Sequence, residues 1–315
     1  MENTRIWINK VKENIGKVLI GKEAVTDLVL TSLVAGGHLL LEDVPGTGKT
    51  MLAKSLAKSL DTSFSRIQFT PDLLPSDVTG INFYHQKEGE FKFRQGPVFA
   101  NVILADEINR ATPRTQASLL ECMEERQVTV DGETRKLQEP FFVIATQNPL
   151  ETTGTFPLPE AQLDRFFMKI SMGLPDKQEE INIMKRFLRD TPYEKLEAVC
   201  TAQKVLEARE LSKQIYIHDA LLDYIADIVR ATRENKNILS GISPRGTIAL
   251  VHACQAYAWI LGREYVVPED IKKLAVPVLA HRLVLARGYG SSVTGEKEII
   301  SILNQVAVPT EEWEK

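Results

Sequence analysis

The stretch LEDVPGTGKT (41–50) joins a short apolar run, HLLL (38–41), to a helical pattern. The usual phosphate-binding pattern is G-x-x-x-x-G-K-[ST], and in this chain Asp43 stands in the place of its first glycine. Gly46 and Gly48 still allow the backbone to curl so that its N–H groups converge on phosphate oxygens. The stretch therefore predicts a phosphate site between a strand and a helix.

The helix that follows carries the polar groups that a bound nucleoside triphosphate needs. Lys49 can reach the β- and γ-phosphates, and the hydroxyl of Thr50 can ligate Mg²⁺. The expected nucleotide contacts lie in the loop and in the first turn of the helix: Pro45, Gly46, Thr47, Gly48, Lys49, Thr50 and Met51.

Polar side chains also end two later apolar runs. In VILADE (102–107), Asp106 is placed to hold the hydration shell of Mg²⁺, and Glu107 to polarise a water for attack on the γ-phosphate. In ATQNP (145–149), the uncharged amide of Asn148 is suited to orienting that water. The three stretches together predict a catalytic site for phosphoryl transfer to water.

Apolar runs alternate with helix-like stretches through the first part of the chain. The runs lie at 38–41, 63–69, 101–105, 141–146 and 166–172, and the helix-like stretches at 48–60, 113–125 and 159–165. This alternation predicts an α/β fold with a parallel sheet covered on both faces. Two segments break the alternation and are predicted as β-hairpins. They are 81–86 with 90–94, and 127–130 with 133–137 around an Asp131-Gly132 turn.

The pattern changes after Gly173-Leu174-Pro175. From there only helical periodicity is found, at about 176–190, 201–213, 218–234, 243–262 and 268–281. Pro244 and Pro268 stand at or near first helical positions, which proline favours. We therefore predict an α/β domain over residues 1–175 and a smaller all-helical domain over 176–315.

Length, composition and charge exclude several classes of protein. The chain has 315 residues and a formal net charge of −4, so as a whole it is not built to hold a polyanion such as DNA. It shows no apolar run of the roughly 20 residues that a membrane-spanning helix needs, and no signal-type start. Its three cysteines lack metal-ligand or disulfide-framework spacing and are interpreted as buried thiols. The expectation is a soluble cytoplasmic protein.

Longer strings narrow the interpretation. They are FTPDLLPSDVTG (69–80), INRATPRTQASLLECMEERQVTVDGE (108–133), GTFPLPEAQLDRF (154–166) and GISPRG (241–246). Together with the phosphate loop they resemble the AAA+ ATPases, and more narrowly the MoxR family. The resemblance extends over nearly the whole chain.

The resemblance implies a fold and roles for single residues. It implies an α/β AAA+ domain with a parallel sheet, followed by a helical lid, with ATP and Mg²⁺ bound. The two hairpins resemble the helix-2 insert (about 81–96) and the pre-sensor-1 hairpin (about 126–138). The implied residue roles are sensor 1 for Asn148, an arginine finger for a neighbouring subunit for Arg165, sensor 2 touching the γ-phosphate in cis for Arg245, and a border of the adenine site for Ile20 and Gly21.

The resemblance also implies partners. Family members form homo-oligomeric rings, typically of six, and act with proteins that carry von Willebrand factor type A domains. They are thought to remodel or mature protein complexes in a chaperone-like manner. These are expectations for this chain.

Other classes of function stay open at this point. A nucleic-acid-stimulated motor of the helicase type carries similar hairpins, but here the basic residues are balanced by acids and aromatics are few beyond Phe91 and Phe93. An ATP-binding switch or a chelatase-type subunit is the other alternative, and the presence of Glu107 argues against a non-catalytic switch. Arg110 and Arg114, just after the two acids, are further candidates for an interface.

Overall fold

The computed structural model describes residues 2–150, 154–188, 191–286 and 294–309, with side chains from residue 5 onward. The strands of these residues, in chain order, are β1 (Leu39–Glu42), β2 (Phe64–Gln68), β3 (Gly80–His85), β4 (Glu90–Gln95), β5 (Val102–Asp106), β6 (Gln127–Val130), β7 (Glu133–Lys136), β8 (Phe142–Gln147), β9 (Met168–Ile170), β10 (Ile238–Ser240) and β11 (Val284–Leu285). The helices are α1 (Glu2–Val18), α2 (Glu23–Ala35), α3 (Lys49–Ser59), α4 (Pro75–Thr79), α5 (Pro113–Glu125), α6 (Glu160–Leu163), α7 (Lys177–Phe187), α8 (Ala202–Ser212), α9 (Asp219–Glu234), α10 (Pro244–Ile260), α11 (Pro268–Leu279) and α12 (Gly295–Gln305).

Five parallel strands form the central sheet, in the order β2-β5-β8-β1-β9. Strand β1 lies between β8 and β9, and its three leucines are fully buried because helices cover both faces. Leu39 and Leu41 belong to one apolar core, and Leu40 to a second core on the opposite face. The predicted α/β fold with a parallel sheet is confirmed.

Both predicted hairpins are confirmed, as β3–β4 and β6–β7. The second turns at Asp131-Gly132, where both residues have positive φ, as a tight two-residue hairpin turn requires. The hairpins also contact each other. The side-chain amide of Asn82 donates to Asp131 at 2.7 Å, and the Arg135 guanidinium lies 4.0 Å from the centre of the Phe93 ring.

After β9 each predicted helix is observed within a few residues of its expected bounds. The prediction that this part is all-helical is wrong in one respect, because β10 and β11 pair as a small antiparallel sheet. The prediction over 176–190 corresponds to α7, and residues 189 and 190 lie outside the described residues. The helix predicted over 159–165 is observed only as the single turn of α6, because prolines precede it and β9 begins soon after. None of the helices in the described ranges is both long and apolar enough to span a membrane.

Four helices were not predicted from the sequence: α1, α2, α12 and the short α4. The first two join the late helices to the sheet. α2 packs against α8 and α10, and the rings of Trp7 in α1 and Trp259 in α10 have centroids 6.4 Å apart. One apolar core therefore contains residues of α1, α2, β1 and the late helices. Cys122, Cys200 and Cys254 are buried free thiols, as predicted.

Candidate functional site

The loop between β1 and α3 curls in front of the first turn of α3. Gly46 and Gly48 have φ values of +89° and +95°, left-handed conformations that glycine adopts without steric cost. Gly48 also lies against Leu19, because a Cβ at this position would stand 2.8 Å from Leu19 Cδ2. As the residue before α3, Gly48 brings no side chain to cap the first N–H groups of the helix. These groups and the positive end of the helix dipole favour a bound anion.

A cavity of about 380 Å³ opens in front of this loop, at the carboxyl ends of the strands. The described residues that line it are Pro45, Gly46, Gly48, Lys49, Thr50, Met51, Arg66, Gln68, Asp106, Glu107 and Asn148. Nine of these eleven are predicted site residues, and Arg66 and Gln68 are the two others. The fold thus brings the phosphate loop, the two acids and the asparagine to one edge of the sheet.

Asp106 ends β5, and its carboxylate has two partners. One oxygen accepts a hydrogen bond of 2.6 Å from the hydroxyl of Thr146 on β8, and the other accepts one of 2.6 Å from the guanidinium of Arg66 on β2. Carboxylate and hydroxyl oxygens are the hard ligands that Mg²⁺ prefers, and Thr50 lines the same cavity. These residues fit Mg²⁺. Across the described residues, no group of three or more His, Cys, Asp or Glu side chains could hold a metal alone.

Glu107 follows Asp106 in a strained conformation. Its φ of +57° is left-handed, which is uncommon outside glycine, and strained residues of this kind cluster at functional sites. Its backbone N–H donates to the Thr146 hydroxyl at 2.9 Å. One carboxylate oxygen accepts a hydrogen bond of 2.7 Å from Gln68 and forms an ion pair with Arg110 at 3.3 Å. The carboxylate therefore points toward Gln68 and Arg110 in this structure.

Asp43 anchors the phosphate loop. It is buried, and its carboxylate accepts hydrogen bonds from the hydroxyl of Ser171, at 2.8 Å, and from the backbone N–H of Met172, both just after β9. Its backbone carbonyl accepts a hydrogen bond of 2.9 Å from Lys49 Nζ. The residue that replaces the usual first glycine thus ties the loop to the end of the neighbouring strand.

Arg165 and Arg245 lie elsewhere, in a second cavity of about 200 Å³. Both contact Glu124, with Arg165 Nε at 3.0 Å from one carboxylate oxygen and Arg245 Nη1 at 3.2 Å from the other. Arg245 is not among the described residues that line the phosphate-side cavity, and its contact with the γ-phosphate in cis stays a prediction. The shared contact with Glu124 places the first turn of α10 beside Arg165, and α10 also packs against α2.

Comparison with known proteins agrees with this architecture. The chain matches the family model of the ATPase family associated with various cellular activities (AAA) over residues 38–168, and that of the AAA lid domain over residues 230–301. The protein named Chaperone MoxR1 from Mycobacterium tuberculosis is 39% identical over 94% of this chain and 80% of its own length. The chain belongs to the MoxR family of AAA+ ATPases.

Two other proteins resemble this MoxR-family chain along its length. YeaC of Bacillus subtilis, an uncharacterized protein, is 47% identical over 98% of this chain and 97% of its own. The crystal structure of a candidate ATPase from Cytophaga hutchinsonii superposes with a TM-score of 0.91, at 41% identity, over 98% of this chain and 97% of that one. The arrangement of α/β part and lid described above is therefore shared with a solved structure.

Arg66 and Gln68 are the lining residues that sequence reasoning missed in this MoxR-family protein. Both lie on β2, and the pairing of β2 with β5 sets Gln68 beside Asp106. The alternation in FSRIQ places Arg66 and Gln68 on one face of the strand, which was a usable signal. The sequence did not show that β2 is the neighbour of β5, so this signal could not be connected to the acids.

Three predicted nucleotide contacts do not line the phosphate-side cavity in the described structure. Thr47 is buried, and its hydroxyl donates to the Val44 carbonyl at 3.5 Å. Ile20 and Gly21 lie in the turn between α1 and α2, and a Cβ on Gly21, whose φ is +68°, would overlap the carboxylate of Glu179 in α7. The role of Ile20 and Gly21 at the adenine stays a prediction of the MoxR resemblance.

Proposed function

We propose that this chain hydrolyses Mg-ATP at a site completed by a second copy of the chain, within a ring. The single observation that carries the proposal is the separation of the predicted catalytic residues into two cavities. Lys49, Asp106, Glu107 and Asn148 line one, whereas Arg165 and Arg245 lie in the other. A site that needs both sets is complete only when two subunits meet. We also propose that the chain divides near residue 175 into an α/β domain and a lid.

The phosphate-side cavity would bind the nucleotide. The N–H groups at the start of α3 and the ammonium of Lys49 hold the β- and γ-phosphates, and Lys49 leaves the Asp43 carbonyl to do so. Thr50 and Asp106 would hold Mg²⁺, which neutralises charge that develops on the phosphate oxygens. Pro45, Gly46 and Met51 would shape the walls of the cavity.

Glu107 is the proposed general base. Its carboxylate would take the proton of the attacking water, and the side chain of Asn148 would orient that water toward the γ-phosphate. In the present structure Gln68 and Arg110 bind the Glu107 carboxylate. We therefore expect Glu107 to exchange Gln68 for water when the site becomes active.

Arg165 and Arg245 are proposed to act across the interface together. The transition state of phosphoryl transfer spreads negative charge over the equatorial oxygens, and guanidinium groups match that geometry. An arginine supplied by a neighbour accelerates related reactions by about 10³–10⁵-fold. A lone subunit is therefore expected to bind ATP and to turn it over slowly.

The proposed biological role is a chaperone-like change in a partner protein. The name of the Mycobacterium tuberculosis relative supports it, as does the exposed surface of hairpin β3–β4, where Tyr84 and Phe91 are 54% and 74% exposed. We propose a ring of six in the cytoplasm that acts with proteins carrying von Willebrand factor type A domains. Nucleic acid is not the proposed partner.

ATP turnover per subunit, measured against protein concentration with Mg²⁺ present, tests the proposal. We expect a rate that rises steeply and then saturates. Arg165→Ala subunits, added in increasing amounts to the wild-type chain, should lower the activity of their wild-type neighbours. A rate that is independent of concentration and of added Arg165→Ala subunits would contradict a shared site.

A further inference from the structure

Glu124 bridges the two arginines of the second cavity. It lies in the last turn of α5, whereas Arg165 follows α6 and Arg245 lies in the first turn of α10. Each of its carboxylate oxygens faces one guanidinium, at 3.0 Å and 3.2 Å. One carboxylate thus joins an arginine of the α/β part to an arginine of the lid.

The bridge is open to solvent. The side chains of Arg165, Glu124 and Arg245 are 31%, 37% and 48% exposed. A different acid in the same cavity, Asp164, is paired with Arg282, whose side chain is buried. Within the described residues, Glu124 is therefore the carboxylate that an incoming anion could replace at Arg165 and Arg245.

We infer that Glu124 is a positioning residue that competes with the neighbouring subunit's γ-phosphate for Arg165 and Arg245. The inference rests on the function proposed above. Its physical basis is that two carboxylate oxygens, each on one guanidinium, occupy the same arginine donors that two oxygens of a phosphate would occupy. In a lone subunit Glu124 holds the two cations side by side and offsets their mutual repulsion. In the assembled protein the phosphate, with more charge and more oxygens, takes the place of Glu124.

The position of Glu124 connects its replacement by phosphate to the two hairpins. Glu124 is two residues before Arg126, which ends α5 in a left-handed conformation and leads directly into hairpin β6–β7. That hairpin contacts hairpin β3–β4 through Asp131 and Asn82. Release of Glu124 therefore acts on the segment that leads into hairpin β6–β7, and through it on hairpin β3–β4. A nucleotide bound by one subunit can in this way alter the hairpins of its neighbour.

The test compares Glu124→Gln with wild type and with Glu121→Gln in the full chain. Glu121 is an exposed glutamate on the same helix and is not among the described residues that line the second cavity. ATP turnover per subunit is measured against protein concentration at saturating Mg-ATP. For Glu124→Gln we expect the concentration of half-maximal turnover to fall by about threefold, the size expected for the loss of competing, partly exposed ion pairs. Glu121→Gln should follow the wild-type curve.

A second measurement separates competition from damage to the fold. Binding of a fluorescent ATP analogue to the dilute chain should be the same for Glu124→Gln and wild type, because Glu124 does not line the described phosphate-side cavity. A half-maximal concentration that is unchanged or raised, or a loss of analogue binding, overturns the inference and indicates a permanent structural bridge. Failure of the proposed function shows separately, in the wild-type curve, as a rate per subunit that does not depend on concentration or on added Arg165→Ala subunits.

Discussion

The side-chain amide of Gln68 donates a hydrogen bond of 2.7 Å to the carboxylate of Glu107. Gln68 lies at the end of β2, and β2 pairs with β5, the strand that leads into Glu107. In the proposed mechanism the general base must face the attacking water, whereas in this structure the hydrogen bond directs the Glu107 carboxylate to Gln68. The neighbouring strand thus controls the orientation of the proposed base.

Gln68→Ala is expected to raise ATP turnover. Loss of one hydrogen bond to a charged acceptor corresponds to about two- to tenfold in rate at a site open to solvent. Steady-state turnover at saturating ATP and protein measures the effect, and the double variant Gln68→Ala with Glu107→Gln should remain inactive. A decrease in turnover would show that Gln68 supports the active orientation of Glu107.

Glu107→Gln is expected to bind ATP but to hydrolyse it very slowly. An amide of the same shape cannot accept the proton of the attacking water, so turnover should fall by about 10²–10⁴-fold. Equilibrium binding of ATP and single-turnover hydrolysis measure the two steps separately. Lys49→Ala is the contrasting variant and should lose affinity for ATP. Equal turnover by Glu107→Gln and wild type would exclude Glu107 as the base.

Asp43→Gly, which restores the usual glycine of the loop, is expected to destabilise the fold. The buried N–H of Met172 and the hydroxyl of Ser171 both donate to the Asp43 carboxylate. Loss of a charged acceptor for a buried donor such as the Met172 N–H typically costs about 1–3 kcal/mol in the free energy of unfolding. Urea denaturation measures this loss. Ser171→Ala, which removes one of the two donors, should cost less, and an Asp43→Gly chain as stable as wild type would refute the anchoring role.

His38 should make stability depend on pH below about 6.5. One ring nitrogen accepts from the N–H of Val143 and the other contacts the Met123 carbonyl, both at 3.0 Å, and burial lowers the pKa of His38 from 6.5 to about 3. Between pH 6.5 and 3 this histidine is therefore protonated in the unfolded chain and neutral in the folded chain. The free energy of unfolding consequently falls as the pH drops through this range. For one such histidine the slope approaches about 1.4 kcal/mol per pH unit.

The difference between two pH curves isolates this effect. His38→Gln keeps a donor and an acceptor but does not titrate, so its free energy of unfolding should decline less steeply than that of wild type between pH 6.5 and 4. Burial also lowers the pKa of His281 to about 3. Because His281 is present in both chains, the free energy of unfolding of the variant still depends on pH in this range. Parallel curves for the two chains would contradict the assignment to His38.

The strands that carry the site were predictable because apolar runs in a parallel sheet are continuous and end in polar residues. The Asp131-Gly132 turn likewise predicted its hairpin from two residues. Helices α1 and α2 were not predicted. The apolar residues of α2 that are buried, such as Leu30 and Leu33, face the sheet and the late helices, and only tertiary packing shows those partners.

The candidate site was predictable where one loop or one strand end carries it, as at Lys49, Asp106 and Glu107. Arg66 and Gln68 could not be predicted as site residues. They lie at the site only because β2 is the neighbour of β5, and local sequence does not specify which strands are neighbours. The location of Arg245 depends on how the lid docks. In the structure α10 packs against α2, and the residues around Arg245 carry no sign of that contact.

The shared core of α1, α2, β1 and the late helices restricts how the molecule can move. Separation of the lid from the sheet would expose Trp7 and Trp259, both buried, together with the apolar faces of α2 and α10. Such exposure is costly in water. We therefore expect the lid and the central sheet of each protomer to move together as one rigid body. A motion of the lid driven by ATP would then take place as sliding or tilting between protomers.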